Sequence, residues 1–418
     1  MKNHILTPLS FIRRRKHSYY HPERPAFAVI GAGNGGQAMA AYLALKGHRV
    51  TLFNRSRPTL EKIGKRGGIT LEGVLTGFAR GLELTDDPAR AVHGADIVMV
   101  TTPAFAHRKL AASLAPHLVD GQIVVLNPGR TLGTVEFECE LRANGCLADV
   151  TVAEAQSLLY ACRAVEPGLV KVFSIKRSVP LAAFPAERTG EVLEAINHIF
   201  PQFVPAPSVL HTGLGNIGAV FHPAPVILNA GRIESGQPFE HYREGITPGV
   251  ATVLEALDAE RLEVAQAYGM NLPSAREWLG ETYGATGDTL YAALQATEAY
   301  RGLSAPGDFQ TRYLREDVPA SLVPIASLGR EAGVATPVID SIIMLASSLV
   351  KVDFWASGRT LDSLGLDGLG VQGVLEVLAN REKPEGGWRN ENTWSSHWRM
   401  RARCRRIQLF EAGRGSEV

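Results

Sequence analysis

The sequence predicts two architectures in tandem: an N-terminal α/β unit built on a doubly wound parallel sheet of Rossmann type, then a mainly helical unit. Three observations carry this. A short apolar strand, a glycine-rich turn and an amphipathic helix run without a break through Phe27 to Lys46, FAVIGAGNGGQAMAAYLALK. Apolar runs rich in β-branched residues, ADIVMVT from Ala95 and GQIVVL from Gly121, recur between helical spacers, as strands covered on both faces of a parallel sheet must. Past Pro201, Pro205 and Pro207 that alternation stops and the apolar period becomes helical.

The opening stretch has the form of a dinucleotide cradle. Gly31 permits a tight turn, Gly33 lets backbone approach a pyrophosphate, and Gly36 lets the helix lie close on the strand. Asn34 and Gly35 complete the turn at the helix N-terminus, where free N–H groups and the positive dipole end favour an anion. A second strand follows at Val50 to Phe53. Asn54 then stands where a fold selecting an unphosphorylated ribose places Asp or Glu. Asn54-Arg55-Ser56-Arg57 offers two guanidinium groups instead, so the expected cofactor is NADP(H) rather than NAD(H), although Arg55 stacking on the adenine face would serve either.

The remaining elements follow in order. A hairpin is expected through Ile69 to Leu84, and Asp86-Asp87-Pro88 opens a short helix. The strands from Ala95 and Gly121 end at Thr102-Pro103 and Asn127-Pro128. Ligands belong at the carboxyl ends of such strands, so Thr102, Pro103 and Asn127 join the cofactor set. Val150 to Ala155, Leu169 to Ile175 and Leu181 to Pro185 read as strands, and Glu187 to Phe200 as a helix. The boundaries are a disordered leader at 1–25, a nucleotide unit at 26–205, a helical unit at 206–379 and a poorly structured basic tail at 380–418. In the helical unit, Val250 to Tyr268 should bury Val253, Leu254, Leu257, Leu262 and Val264 and show Glu255, Asp258, Glu260, Arg261 and Glu263 mostly to water. Leu322 to Ala332 and Pro337 to Val350 are two more helices.

A chain of 418 residues suits two domains. With 43 Lys and Arg against 42 Asp and Glu, no net field recruits nucleic acid or an anionic membrane. Neither the basic cluster Arg13 to Lys16 nor the tail with its tryptophans and arginines changes that expectation. Four cysteines without metal or disulfide spacing point to the cytoplasm and to no metal. No run approaches the roughly 18 apolar residues of a membrane span. A homodimer through the helical unit is compatible with the sequence, though no feature argues for it.

A nucleotide unit followed by a helical one fits an oxidoreductase that closes over a small substrate. Two stretches of the helical unit carry suitable groups. In NIGAVFHPAPVILNAGRIE from Asn216, His222 sits before Pro223, and Asn229 lies two turns later on the same face, assigned to the substrate. In RYLREDVP from Arg312, an arginine precedes Glu316 and Asp317 at a helix start. Blander readings stand beside these: a capping histidine, a carboxylate serving the helix dipole, or a surface pair of Arg312 with Glu316.

At these residues the chain resembles the octopine, nopaline and other opine dehydrogenases. The resemblance runs from about Phe27 to Gly365 and includes LNPGRT at Leu126, AEAQSLLYACR at Ala153 and GNIGAVFHPAPVILNAG at Gly215. It is most specific in TGDTLYAAL at Thr286 and RYLREDVPASLVPIASLGREAGVATPVID at Arg312. It implies an NAD(P)H-dependent reductase of the imine formed between an amino acid and a 2-oxo acid. It also implies His222 as the catalytic histidine, Asp317 as its partner, unless Glu316 holds that place, and Arg312 as a carboxylate clamp. Glu154, Gln156 and Arg163 of the Ala153 segment are expected to face the cleft without assigned roles. The alternatives are a 2-hydroxyacid or ketone dehydrogenase of similar layout, and a nucleotide-sensing protein without turnover.

Overall fold

The computed structural model describes residues 24–380; the Arg13 to Lys16 cluster and the tryptophan- and arginine-bearing tail lie outside them. Strands β1 (Phe27–Ile30) and β2 (Val50–Phe53) are buried at every position and pair in parallel, Phe27 opposite Val50. β3 (Ile69–Gly73) and β4 (Gly77–Ala79) form the expected hairpin. It closes earlier than expected, because β5 (Glu83–Thr85) leaves it to pair with β2. Asp87 then caps the helix Pro88–Val92 by accepting from the Ala89 N–H. The apolar runs become β6 (Ile97–Val100) and β7 (Ile123–Leu126), all buried.

Next come β8 (Thr151–Ala155), β9 (Tyr160–Glu166), β10 (Leu169–Ile175), β11 (Val179–Phe184) and β12 (Phe203–Pro205). The main sheet has the order β12-β11-β8-β7-β6-β1-β2-β5. Its core is the doubly wound parallel sheet of the sequence reading, with one antiparallel step between β8 and β11. The step arises because the chain returns from β8 through a pair of strands rather than a crossover helix. Those strands build a second sheet, β4-β3-β10-β9, in which β9 was not foreseen. This sheet is fastened to the first helix, Asn34–Leu45: Asn34 Oδ1 accepts from Ala164 N–H at 3.0 Å and Gln37 Oε1 from Gly168 N–H at 2.8 Å. Where a helix was expected at Glu187 to Phe200, a 3₁₀ turn leads into a shorter one, Thr189–Ile196.

Beyond β12 the described chain is helical. Helix Pro248–Ala267 buries Leu254, Leu257 and Val264 as expected, with Val253 and Leu262 half-buried. Three charged residues assigned to its outer face are buried instead: Asp258, Glu260 and Arg261. Each meets backbone groups remote in sequence. Arg261 donates to Leu214 O at 2.7 Å and to Pro273 O at 2.9 Å, while pairing with Asp258 at 2.7 Å. Asp258 also accepts from Ala275 N–H, and Glu260 accepts from the N–H groups of Val338 and Ile339 at 2.7 and 2.9 Å. The carboxylates thus cap the helices Ala275–Tyr283 and Pro337–Val350 at their positive ends. No described helix is long and apolar enough to cross a membrane.

The two halves share a core. Leu132, Val135 and Phe184 of the α/β half pack in the same cluster as Leu254, Leu257 and Leu328 of the helical half.

Candidate active site

The glycine turn has the geometry of a phosphate cradle. Gly31 adopts φ +109°, a conformation that glycine tolerates best. A Cβ on Gly36 would lie 1.7 Å from Gly31 O, so only glycine lets helix and strand approach. A Cβ on Gly33 would meet nothing within 4 Å, leaving open space over the helix N-terminus, which no side chain caps. Gly35 packs on Leu158, and Asn34 is engaged by the second sheet. Asn54 accepts from Ala32 N–H at 3.2 Å and donates to Ser56 O at 3.0 Å, so its amide braces the turn against β2. Arg55 is exposed beside it; Arg57 is paired with Asp86. At the ends of β6 and β7, Thr102 Oγ1 and Asn127 Oδ1 are buried with no hydrogen-bond partner among the described residues. Pro103 leads into the turn Ala104–Ala106. Two orphaned polar atoms beside an open glycine cradle fit a dinucleotide lying across the carboxyl ends of the strands.

Local sequence rules set His222 in place. It is the junction between the short helices Gly218–Phe221 and Pro223–Leu228, because the proline that follows breaks the helix. Its Nδ1 lies 2.8 Å from Asp317 Oδ2 and its Nε2 3.1 Å from the Tyr242 hydroxyl. Tyr313 stacks on the ring at 4.1 Å. Asp317, fully buried, ends the approach to a π-helical turn, Val318–Leu322. Pro324 has no N–H to offer the Ala320 carbonyl, which accepts from Thr131 N–H at 3.1 Å instead. The helical half is thereby hydrogen-bonded to the loop after β7.

That loop supplies a residue the sequence reading left unassigned, Arg130. Its backbone is left-handed, φ +65°, an uncommon state for a side chain of this size and one that recurs at functional sites. Arg130 lies 2.9 Å from Asp317 Oδ1 and 3.1 Å from Glu316 Oε1, and donates to Asn216 Oδ1 at 3.2 Å. Asp317 and not Glu316 is therefore the histidine's partner. Glu316 accepts from Ala104 N–H at 3.1 Å, pinning the turn after β6. Burial opposes its charge, but Arg130 and Arg312 outweigh burial and hold its carboxyl below the usual range. Arg312 is more than half exposed, its Nε 3.4 Å from Glu316 Oε2.

Other expectations part from the structure. Asn229 donates to Pro225 O and Gly245 O, both at 2.8 Å, so both amide hydrogens serve the fold and not a substrate. The reason is the break at His222, which replaces the continuous helix that would have aligned the two residues. Glu154 is buried beneath the loop after β7, accepting from Thr212 Oγ1 at 2.7 Å and from Thr134 N–H at 3.0 Å. Burial raises its carboxyl to about 7. Gln156 donates to Gly215 O, whereas Arg163 is exposed on β9. Lys176, just past β10, went unremarked in the sequence: its ammonium donates to Ser157 Oγ at 2.7 Å, and burial together with the charge of Arg130 lowers it to about 8.

Residues 205–350 match the family described as NAD/NADP octopine/nopaline dehydrogenase, alpha-helical domain, and residues 26–134 match the NAD-dependent glycerol-3-phosphate dehydrogenase N-terminus. An opine dehydrogenase of Arthrobacter sp. (strain 1C) is 46% identical over 357 residues, covering 85% of this chain and 99% of that protein. Among solved structures, an octopine dehydrogenase in complex with NADH and agmatine superposes with a TM-score of 0.70 at 25% identity, over 87% of this chain and 100% of the other. A yersinopine dehydrogenase with NADP+ bound gives 0.67 at 14% identity, over 86% and 98% of the two chains, a likeness of fold.

Proposed function

Because this chain belongs to the opine dehydrogenase family, NAD(P)-dependent oxidoreductases that reduce the imine formed between an amino acid and a 2-oxo acid, we propose that His222 is its acid–base residue, with Asp317 as the group that orients it. The observation that carries this reading is the 2.8 Å contact of Asp317 Oδ2 with His222 Nδ1, which leaves Nε2 as the nitrogen for proton exchange. A reduced nicotinamide cofactor, its pyrophosphate held at the Gly31 to Gly36 turn, would supply the hydride. The remaining work belongs to the protein. An amine adding to an oxo-acid carbonyl gives a carbinolamine whose hydroxyl must leave as water, and imidazolium His222 donates the proton it needs. Asp317 stabilises that imidazolium, and Arg130 pairs with its other oxygen at 2.9 Å.

Arg312 and Lys176 are the cations for two substrate carboxylates. Arg312 presents a planar fork of N–H donors and Lys176 a point charge. The cofactor unit is 26–205 and the substrate unit 206–379. The cofactor we favour is NADP(H), read from Arg55 beside an Asn54 that offers no carboxylate to a 2′-hydroxyl. The free thiols of Cys139, Cys146 and Cys162 suit the cytoplasm.

The test of the acid–base assignment is a pair of substitutions, His222→Ala and Asp317→Asn. Turnover should fall by about 10² to 10⁴ with cofactor affinity kept. Unchanged turnover in His222→Ala would remove His222 from the chemistry.

A further inference from the structure

The loop after β7 holds two side-chain-bearing residues with left-handed backbone, Arg130 at φ +65° and Leu132 at φ +59°. Such residues persist only where their surroundings over-determine them. The buried carbonyls of so irregular a loop lie outside any helix or sheet ladder, so their donors must come from elsewhere. Arg359, from the helical half and 2% exposed, supplies them.

Arg359 Nη1 donates to Thr131 O at 2.5 Å and lies 3.4 Å from both Gly129 O and Ala320 O. Nη2 pairs with Glu136 Oε2 at 2.7 Å, and the backbone N–H donates to Pro319 O at 2.9 Å. The chain can approach the π-helical turn this closely because Gly358 precedes the arginine. A Cβ there would stand 2.4 Å from Phe354 O and 3.1 Å from Pro319 O. Glu136 is a charged anchor for the fork: burial opposes its charge, but Arg359 and Arg108 outweigh burial and hold its carboxyl below the usual range. Arg359 thus grips the residue on either side of Arg130 and, at the same time, the turn that follows Asp317.

Resting on the assignment of His222 and Asp317 as the acid–base pair, we propose that Arg359 is a positioning residue for the reaction. By holding Gly129 and Thr131 on one side and Pro319 and Ala320 on the other, it fixes the contact of Arg130 with Asp317, and through Asp317 the orientation of His222.

A guanidinium suits this task because it is planar and forked: one nitrogen reaches the carbonyls while the other is held by Glu136. With the fork withdrawn, the carbonyls lose their donor and the loop relaxes toward right-handed backbone, the lower-energy state for Arg130 and Leu132. Arg130 Nη1 is then carried off Asp317 Oδ1, and the carboxylate that holds His222 Nδ1 loses its second tether. No proton or electron moves at Arg359 itself.

Arg359→Lys keeps a cation for Glu136 but reduces the fork to a single nitrogen; Arg359→Gln keeps a planar donor and removes the charge. Turnover should fall by about tenfold to a hundredfold in each, the effect of a misplaced reacting group, with cofactor affinity kept. The hydrogen between His222 Nδ1 and Asp317 gives a proton resonance, identified by its loss in His222→Ala, and this resonance should move in both variants. A residue that only fills the interior would lower Tm and leave the resonance in place. Wild-type turnover in a folded variant, or slowed turnover with the resonance unmoved, overturns the proposal. If Arg359→Gln does not fold, Arg359→Lys, which keeps the charge opposite Glu136, carries the test. Wild-type turnover in His222→Ala would instead defeat the acid–base assignment, and the resonance would still report whether Arg359 sets the place of the histidine.

Discussion

Arg130 and Asp317 meet at 2.9 Å, both buried, one from the loop after a strand of the nucleotide sheet and the other from the entrance to a π-helical turn of the helical half. The same carboxylate holds His222 through its other oxygen. One ion pair therefore couples the docking of the two halves to the orientation of the histidine. Removing one partner of such a pair leaves an uncompensated buried charge, which costs about 3–5 kcal/mol. Arg130→Met should lose stability on that scale in urea unfolding. Arg130→Met with Asp317→Asn should regain part of it, since only Glu316 then lacks Arg130, and it keeps Arg312 at 3.4 Å.

Glu154 predicts how stability depends on pH. Burial raises its folded carboxyl from 4.5 to about 7, so between those values the native state holds a proton that the unfolded chain releases. Stability must therefore fall as pH rises from about 4.5 to about 7 and level off above, by as much as about 3 kcal/mol at 1.36 kcal/mol per unit. The neutral acid is well housed: it can donate to Thr212 Oγ1, which donates onward to Val209 O at 3.0 Å. Glu154→Gln should flatten this part of the profile, read by unfolding at a series of pH values.

Lys176 predicts a pH limit on substrate binding. Its ammonium is lowered to about 8, first by burial and then by Arg130. The charge that attracts a carboxylate is present below that value and lost above it. KM for the 2-oxo acid, measured with amine saturating, should rise from about pH 8 upward. Lys176→Arg, charged throughout, should shift the rise to higher pH, and Lys176→Met should raise KM at all pH values.

Arg55 predicts the cofactor balance. It stands exposed beside Asn54, whereas Arg57 is paired with Asp86. Arg55→Ala should weaken NADPH binding by about fivefold or more, the loss of one charge-assisted contact, and leave NADH binding nearly unchanged. Titration with both reduced cofactors measures it.

What the sequence displayed and what it hid divide along physical lines. The cradle at Gly31 to Gly36 and the buried parallel strands were legible because local period and composition determine them. His222, Arg312 and Asp317 were marked by resemblance, and their neighbourhood supplied the chemistry. Arg130 was quoted within LNPGRT yet carried no signal, since its place depends on a left-handed backbone and on carboxylates nearly two hundred residues away. Asp258, Glu260 and Arg261 were misplaced because a helical period registers charge without registering the distant backbone groups that satisfy it. Tyr242 and Lys176 reach the site through tertiary packing alone.

The measurement closest to the central claim is cofactor oxidation with a 2-oxo acid, with and without a panel of amino acids. An imine reductase should oxidise NAD(P)H at an appreciable rate only when an amine is present, and should form an N-(carboxyalkyl) amino acid in equal amount. Oxidation by the oxo acid alone, at a rate that no amine changes, would contradict the account.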